Sequence, residues 1–156
     1  ETVIKFANDW AEKERKDNLY FICKDLNEDF ILNNSKKFDF IFDRSCLSLL
    51  NPERLEKLIE KLAKNYLEEE GNLFLSLYSD TNSSLELNKI NSSNYSSIGN
   101  VAAPESYYYS RKDLISFTKF NLGIEQLDYI SHTNMLDQKY IISSEWNALY
   151  KLLSNN

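Results

Sequence analysis

The segment Lys37–Leu50 has the sequence KFDFIFDRSCLSLL, and it constrains the fold more than any other stretch. The near-continuous apolar run Phe38–Phe42 predicts a strand that is buried on both faces. The run stops at Asp43-Arg44, and a helix signal follows, because Asn51 is a good N-cap and Pro52 suits the first helical position. A strand with a polar exit and a following helix indicates an open α/β sheet, in which ligands bind where strands end. The same pattern also fits a core strand with an ordinary polar exit.

The elements around this segment follow from their hydrophobic periodicity. Apolar residues at helical spacing predict a helix from about Glu1 to Lys16, and Leu19–Cys23 is typical of a buried strand. An apolar stripe on Pro52–Leu67 predicts an amphipathic helix, with Gly71 placed to end it. Leu73–Tyr78 then predicts the next buried strand.

The second half of the chain begins with Thr81–Asn100, which is rich in Ser and Asn and predicts a long loop. Ser110 and Asp113 match a capping box at the start of another helix. Two strands, Ile124–Thr133 and Lys139–Ser144, are close enough in sequence to form an antiparallel hairpin. A terminal helix is predicted over the remaining residues Glu145–Leu153.

Composition excludes several classes of protein. The 156 residues, of which 42% are hydrophobic, predict a single domain, residues 1–156, with a real core. The net charge of −6 argues against a nucleic-acid partner and against an anionic membrane surface. No apolar run is long enough to span a bilayer. Cys23 and Cys46 are too few for a disulfide framework and lack metal-ligand spacing, which suits a reducing cytoplasm.

The order of strand, FDRSCLSLL segment, long helix and GNLFLSLYSD resembles the central part of class I S-adenosylmethionine-dependent methyltransferases. Within that family it is most similar to the small-molecule group related to thiopurine and tellurite-resistance methyltransferases. There the fourth strand ends in D-R-(G/S)-x-L, and two glycines lead into the fifth strand. Here Glu70-Gly71-Asn72 stands at that point. The resemblance covers Glu1 to about Leu153.

The resemblance implies a cofactor site for S-adenosylmethionine, beside a small-molecule methyl acceptor. Asp25 matches the acid that accepts a hydrogen bond from the adenine amino group, and Leu26 packs beside the ring. Asp43, Arg44 and Cys46, with the intervening serine, form the rim beneath the donor methyl group. The family works mainly by positioning donor and acceptor, so the resemblance assigns no catalytic residue and implies no metal.

Each of these roles has a structural alternative. Asp25 could begin a turn or cap a helix. Arg44 could bind an acceptor carboxylate or form an ion pair with Asp39 or Asp43. His132 ends a predicted strand; if that strand runs parallel to the one ending at Asp43, a neutral imidazole would lie at the same edge and could accept a proton. A solvated surface histidine is the alternative.

Two parts of the family pattern are missing. The chain has three glycines, Gly71, Gly99 and Gly123, and none forms the glycine-rich turn after the first strand. The acid that ends the second strand is absent too. In the resemblance Leu19–Cys23 is the third strand and Phe38–Phe42 is the fourth. Because the family's strand order is 3-2-1-4-5-7-6, the two missing strands lie between these two and would leave a gap of about 14 Å.

Folded proteins avoid such unpaired edges. We therefore expect an α/β, Rossmann-like class I methyltransferase sheet with a C-terminal antiparallel hairpin, lacking its first two strands. We expect the chain to be a truncated part of the fold, completed by an upstream segment or by a second copy; the alternative is that its own strands close up across the gap. The alternative function is a non-catalytic, methyltransferase-like module that serves assembly or partner binding.

Overall fold

The computed structural model describes residues 2–26, 37–81, 106–133 and 141–154. Its contacts divide the chain into two compact units, Glu1–Asn34 and Ser35–Asn156, which are described separately below. The predicted loop Thr81–Asn100 lies, apart from Thr81, outside the described residues, so it stays a prediction. The single-domain assignment also stays a prediction.

The described residues of the first unit form the helix α1 (Thr2–Lys13), which confirms the predicted N-terminal helix. The predicted strand at Leu19–Cys23 is wrong, because these residues belong to no helix or strand and most of their side chains are exposed. Within this unit the Asn8 side chain, and not a neighbouring strand, bonds the Phe21 backbone. The Asn8 amide donates to Phe21 O at 3.0 Å and its Oδ1 accepts from Phe21 N at 3.0 Å. Apolar residues alone do not make a strand when no partner edge satisfies their backbone groups.

The second unit contains a four-stranded sheet in the order β1-β2-β4-β3. The strands are β1 (Phe38–Phe42), β2 (Leu67–Tyr78), β3 (Leu122–Thr133) and β4 (Ile141–Leu152). β1 and β2 are parallel, and β4 lies antiparallel to both β2 and β3. β3 therefore runs in the same direction as β1 and β2. These positions and directions are those predicted for strands four, five, seven and six, including the antiparallel hairpin.

The core of this unit lies between one face of the sheet and the helices. α2 (Pro52–Lys61) begins with the predicted cap, since Asn51 Oδ1 accepts from Arg54 N at 2.9 Å. α3 (Arg111–Ser116) begins with the predicted capping box of Ser110 and Asp113, and a 3₁₀ turn, Phe117–Phe120, follows it. Burial of apolar side chains supplies most of the stabilisation. The fully buried side chains of this core are Leu55, Ile59, Leu67, Leu73, Leu75, Leu77, Tyr109, Leu114, Leu122, Ala148 and Tyr150.

β1 is less buried than predicted. Phe38, Phe40 and Phe42 are 42%, 54% and 59% exposed. β1 pairs only with β2, so its other edge has no partner among the residues that the structure describes. A run of phenylalanines fits a central strand and an edge strand equally well, since burial is set by neighbours outside the run.

The long helix ends earlier than predicted, and a strand begins where helix was expected. α2 stops at Lys61, one π-helical turn covers Leu62–Tyr66, and β2 starts at Leu67. Gly71 therefore lies inside β2 and does not cap a helix. Glu70 has φ of 65°, in the left-handed region that favours glycine. The family pattern places a glycine at this point.

The predicted terminal helix is wrong, because β4 continues to Leu152 as a strand. The apolar residues of this segment satisfy the helical period, but they also satisfy a period of two. Ser144, Ala148 and Tyr150 alternate on the buried face between β2 and β3. Pairing on both sides decided between the two periods, and that information is not local.

Gly71 offers a test of the irregular start of β2. A Cβ at this residue would lie 2.8 Å from the backbone oxygen of Glu68. We expect Gly71→Ala to lower the free energy of unfolding by about 1–3 kcal/mol, because the backbone must shift. Gly123→Ala is the matched control, since its nearest contact is the movable end of the Leu153 side chain at 3.0 Å. Equal losses for both variants in urea unfolding would contradict the steric argument.

Candidate functional site

The carboxyl ends of β1 and β2 lie at the same edge of the sheet, where the polar residues after β1 are held in place by β2. Asp43 N donates to Phe74 O at 2.9 Å, and Ser45 N donates to Ser76 O at 2.9 Å. These two bonds extend the parallel pairing beyond the end of β1. The start of β4 lies beside the same stretch of β2, because Glu145 pairs with Tyr78. We call Asp43, Ser45, Ser76 and Glu145 the polar rim.

Asp43 is the most unusual group of the polar rim. Its side chain is only 8% exposed. Oδ1 accepts from Leu47 N at 3.1 Å, whereas Oδ2 is buried without a hydrogen-bond partner among the described residues. Desolvation raises the pKa of this carboxyl from 3.8 to about 6, although backbone N–H groups, chiefly that of Leu47, act in the opposite direction. Burial here costs energy that the available hydrogen bonds do not recover.

The other members of the polar rim form a chain of side-chain contacts. Ser45 adopts a left-handed backbone conformation with φ of 60°. Its Oγ lies 3.3 Å from Ser76 Oγ, and Ser76 Oγ donates to Glu145 Oε2 at 3.4 Å. Strained backbone of this kind is common where a side chain must be held in one direction. Two hydroxyl groups thus connect the loop after β1 to a carboxylate on β4.

Arg44 and Cys46 are both exposed beside the polar rim. Within the described part of the chain Arg44 forms no salt bridge with Asp39 or Asp43, so the ion pair given above as its alternative role is absent there. Desolvation, and then the negative charge of Asp43, raise the pKa of the Cys46 thiol. A raised pKa keeps this thiol protonated and disfavours it as a nucleophile.

A second group of hydroxyls lies further along the same edge. Thr81 Oγ1 is 2.7 Å from Tyr129 OH and 3.1 Å from Ser144 Oγ. The Tyr129 ring packs against Trp146 with 4.9 Å between centroids. His132 is exposed near the end of β3, which runs parallel to β1 as its predicted position required. Its proposed role as a base stays a prediction.

The predicted site residues are divided between the two units. Asp43, Arg44 and Cys46 lie together after β1, in the second unit. Asp25 and Leu26 belong to the first unit, where Asp25 is exposed and Leu26 is partly buried. Their adenine-binding role stays a prediction.

Sequence reasoning missed Ser76 and Glu145. Ser76 is one serine inside an apolar strand, and its position near the strand end was the available signal. Glu145 was assigned to a helix, which hid its register opposite Tyr78.

The described residues provide neither a metal site nor a membrane-spanning helix. These residues contain no group of three or more His, Cys, Asp or Glu side chains that could hold a metal ion. Across the same ranges, every helix is too short or too polar to cross a bilayer.

Comparison with known proteins gives structural matches only. No family model matches the chain, and no curated protein matches it. An S-adenosylmethionine-dependent methyltransferase from Methanosarcina mazei matches with a TM-score of 0.66 and 11% identity, over 87% of this chain and 68% of that one. A second such enzyme, from Clostridium acetobutylicum, has a TM-score of 0.58 and 17% identity, over 96% and 72%. A Pyrococcus horikoshii protein has a TM-score of 0.68 and 14% identity, over 97% and 68%.

Identities this low establish the fold alone. The chain has the mixed α/β, Rossmann-like fold of these structural neighbours, which confirms the predicted fold class. The narrower thiopurine and tellurite-resistance group stays a prediction.

Proposed function

We propose that this chain is part of an S-adenosylmethionine-dependent methyltransferase that acts on a small molecule in the cytoplasm. The observation that carries the proposal is the strand order β1-β2-β4-β3 with a polar rim at the carboxyl ends of β1 and β2. Ligands bind at that edge in open α/β sheets, and the structural neighbours include methyltransferases of this kind. The free thiols of Cys23 and Cys46 support a reducing compartment.

The residues of the polar rim fit one part of the methyl donor. The donor carries a sulfonium cation, and the buried Asp43 Oδ2, which has no partner among the described residues, is a group that a nearby cation would stabilise. Arg44, exposed beside it, is suited to an acceptor anion. The donor supplies an electrophilic methyl group, and the protein's share of the work is to hold donor and acceptor in line. The chain has no glycine-rich turn for the methionine part, so another segment must supply that half.

The missing half of the cofactor site would lie beside the free edge of β1. β1 has a free edge within the described residues, and three of its phenylalanines are exposed on one face. A free edge with an apolar face is a template for another strand. We propose that a segment outside this chain pairs with β1 and brings the rest of the cofactor site; a second copy of the chain is the other source.

Cofactor binding tests this function. The 156-residue monomer should bind S-adenosylmethionine weakly, and a form extended by its natural upstream sequence should bind it at micromolar concentration in calorimetry. In that extended form, Asp25→Ala should weaken binding by about 1–3 kcal/mol, as expected for a lost hydrogen-bond acceptor. Asp17→Ala, an exposed acid of the same unit, is the control. Micromolar binding by the monomer itself would overturn the need for completion, and no binding by the extended form would overturn the donor.

The exposed phenylalanines of β1 also favour a second candidate, a non-catalytic module that binds a partner through this edge. The two candidates differ in the extended protein. A stable complex through β1 without any cofactor binding would favour the module over the enzyme.

A further inference from the structure

The contacts from Ser45 through Ser76 to Glu145 have a defined chemical direction. An ionised carboxylate only accepts hydrogen bonds, so Ser76 must donate its hydroxyl proton to Glu145. Ser76 Oγ can then accept from Ser45 Oγ, which lies 3.3 Å away. This assignment leaves the lone pairs of Ser45 Oγ available to a molecule at the polar rim. The two distances are long, as is common for catalytic hydrogen bonds before substrate is bound.

A second observation points to a ligand at the same place. The Asp43 carboxyl lies in the same loop as Ser45, where its Oδ1 accepts from Leu47 N at 3.1 Å. It is more than nine-tenths buried, and its Oδ2 has no partner among the described residues. Native proteins rarely leave such an acceptor unpaired unless a ligand, an ion or water completes it. An acceptor molecule with a hydrogen-bond donor would complete Asp43 while contacting Ser45.

We infer that Ser45, Ser76 and Glu145 form a proton relay for a methyl acceptor whose nucleophilic oxygen, nitrogen or sulfur is neutral and still carries its proton. This inference rests on the proposed methyltransferase function and specifies its acceptor class. Ser45 is the catalytic residue, because it contacts the reacting group. Ser76 and Glu145 act through it, and Asp43 positions the acceptor.

The step balances without a further reactant. The acceptor's proton moves to Ser45 Oγ, the proton of Ser45 moves to Ser76 Oγ, and that of Ser76 moves to Glu145 Oε2. The electron pair left on the acceptor atom forms the new bond to the methyl carbon. The carbon–sulfur bond of the donor breaks with its pair on sulfur, which becomes a neutral thioether. Glu145 is only partly buried, so it can return its proton to solvent.

The test uses the extended protein, labelled S-adenosylmethionine and a panel of thiols, amines and alcohols of graded acidity. Glu145→Gln and Ser45→Ala should each lower turnover at least a hundredfold for acceptors that are protonated at the assay pH. Acceptors already ionised at that pH should lose less than threefold, because they need no base. The solvent deuterium isotope effect seen with protonated acceptors should shrink in both variants. Ser143→Ala, a change on β4 outside the polar rim, is the control for substitution in this strand.

Four outcomes are possible, and each is decisive. Selective loss with protonated acceptors supports the relay. Turnover within threefold of the parent for all acceptors overturns the relay but leaves the methyltransferase intact. Equal loss for protonated and ionised acceptors also overturns it and assigns these residues a structural role. Failure of the parent to methylate any acceptor would overturn the proposed function itself, and thermal unfolding of each variant shows that the fold is retained.

Discussion

Asp43→Asn is expected to make the second unit more stable than the parent at pH 8, by about 3 kcal/mol. The parent carboxyl has its pKa raised from 3.8 to about 6, chiefly by desolvation. At 1.36 kcal/mol per pH unit, that difference corresponds to about 3 kcal/mol against the charged form. Asparagine has no charge to desolvate, and its Oδ1 can still accept from Leu47 N, as Asp43 Oδ1 does at 3.1 Å.

The pH dependence of this effect follows from proton binding by Asp43 in the folded and unfolded states. Between pH 4 and 6 the folded state keeps the proton on Asp43, whereas the unfolded state has lost it. Asp43 therefore does not lower the parent's free energy of unfolding below pH 4. That free energy falls as pH rises to about 6, and the loss is constant above that pH. The advantage of the variant should be near zero at pH 3.5 and full at pH 8.

Urea unfolding of parent and variant across this range measures the difference, so that effects of other groups cancel. Asp39→Asn, which removes an exposed carboxyl from β1, is the control for loss of charge. A difference that does not change with pH would contradict the assignment. A protein that retains a destabilising carboxyl at its polar rim is consistent with function taking precedence over stability there.

Local chemistry explains which parts of the fold could be predicted from sequence. The caps at Asn51 and Ser110 use hydrogen bonds between residues three apart, so sequence contains all the information. The strand order was predictable because a resemblance supplied it, and the polar exit at Asp43 marked one end of the site.

The errors have a different origin, since each depended on a partner distant in sequence. Leu19–Cys23 and β1 are both apolar runs, yet only β1 found an adjacent strand, and on one side only. Glu145 reached the polar rim because β4 pairs with β2 in a particular register. No local pattern specifies that register, so the end of the proton relay could not be predicted.

The register of β4 predicts a large loss of stability when a charge is introduced at Ala148. In a helix over Glu145–Leu153, the apolar side would contain Leu153, and Ala148 would lie on the opposite side. In the observed strand, Ala148 is fully buried and pairs with Leu75 on β2 and Leu127 on β3. A carboxylate placed there would lose its hydration among apolar side chains.

We expect Ala148→Asp to destabilise the second unit by more than about 4 kcal/mol at pH 7, which is a large fraction of the roughly 5–15 kcal/mol that keeps a typical domain folded. Leu153→Asp introduces the same charge where the side chain is 47% exposed, and its cost should be several-fold smaller. Circular dichroism and urea unfolding of the two variants measure the difference. The reverse ranking would mean that the segment is helical, with Leu153 facing the core. The expected ranking, with Ala148→Asp the more destabilising, would support the position of β4 between β2 and β3. It would also support the position of Glu145 beside Ser76, on which the relay depends.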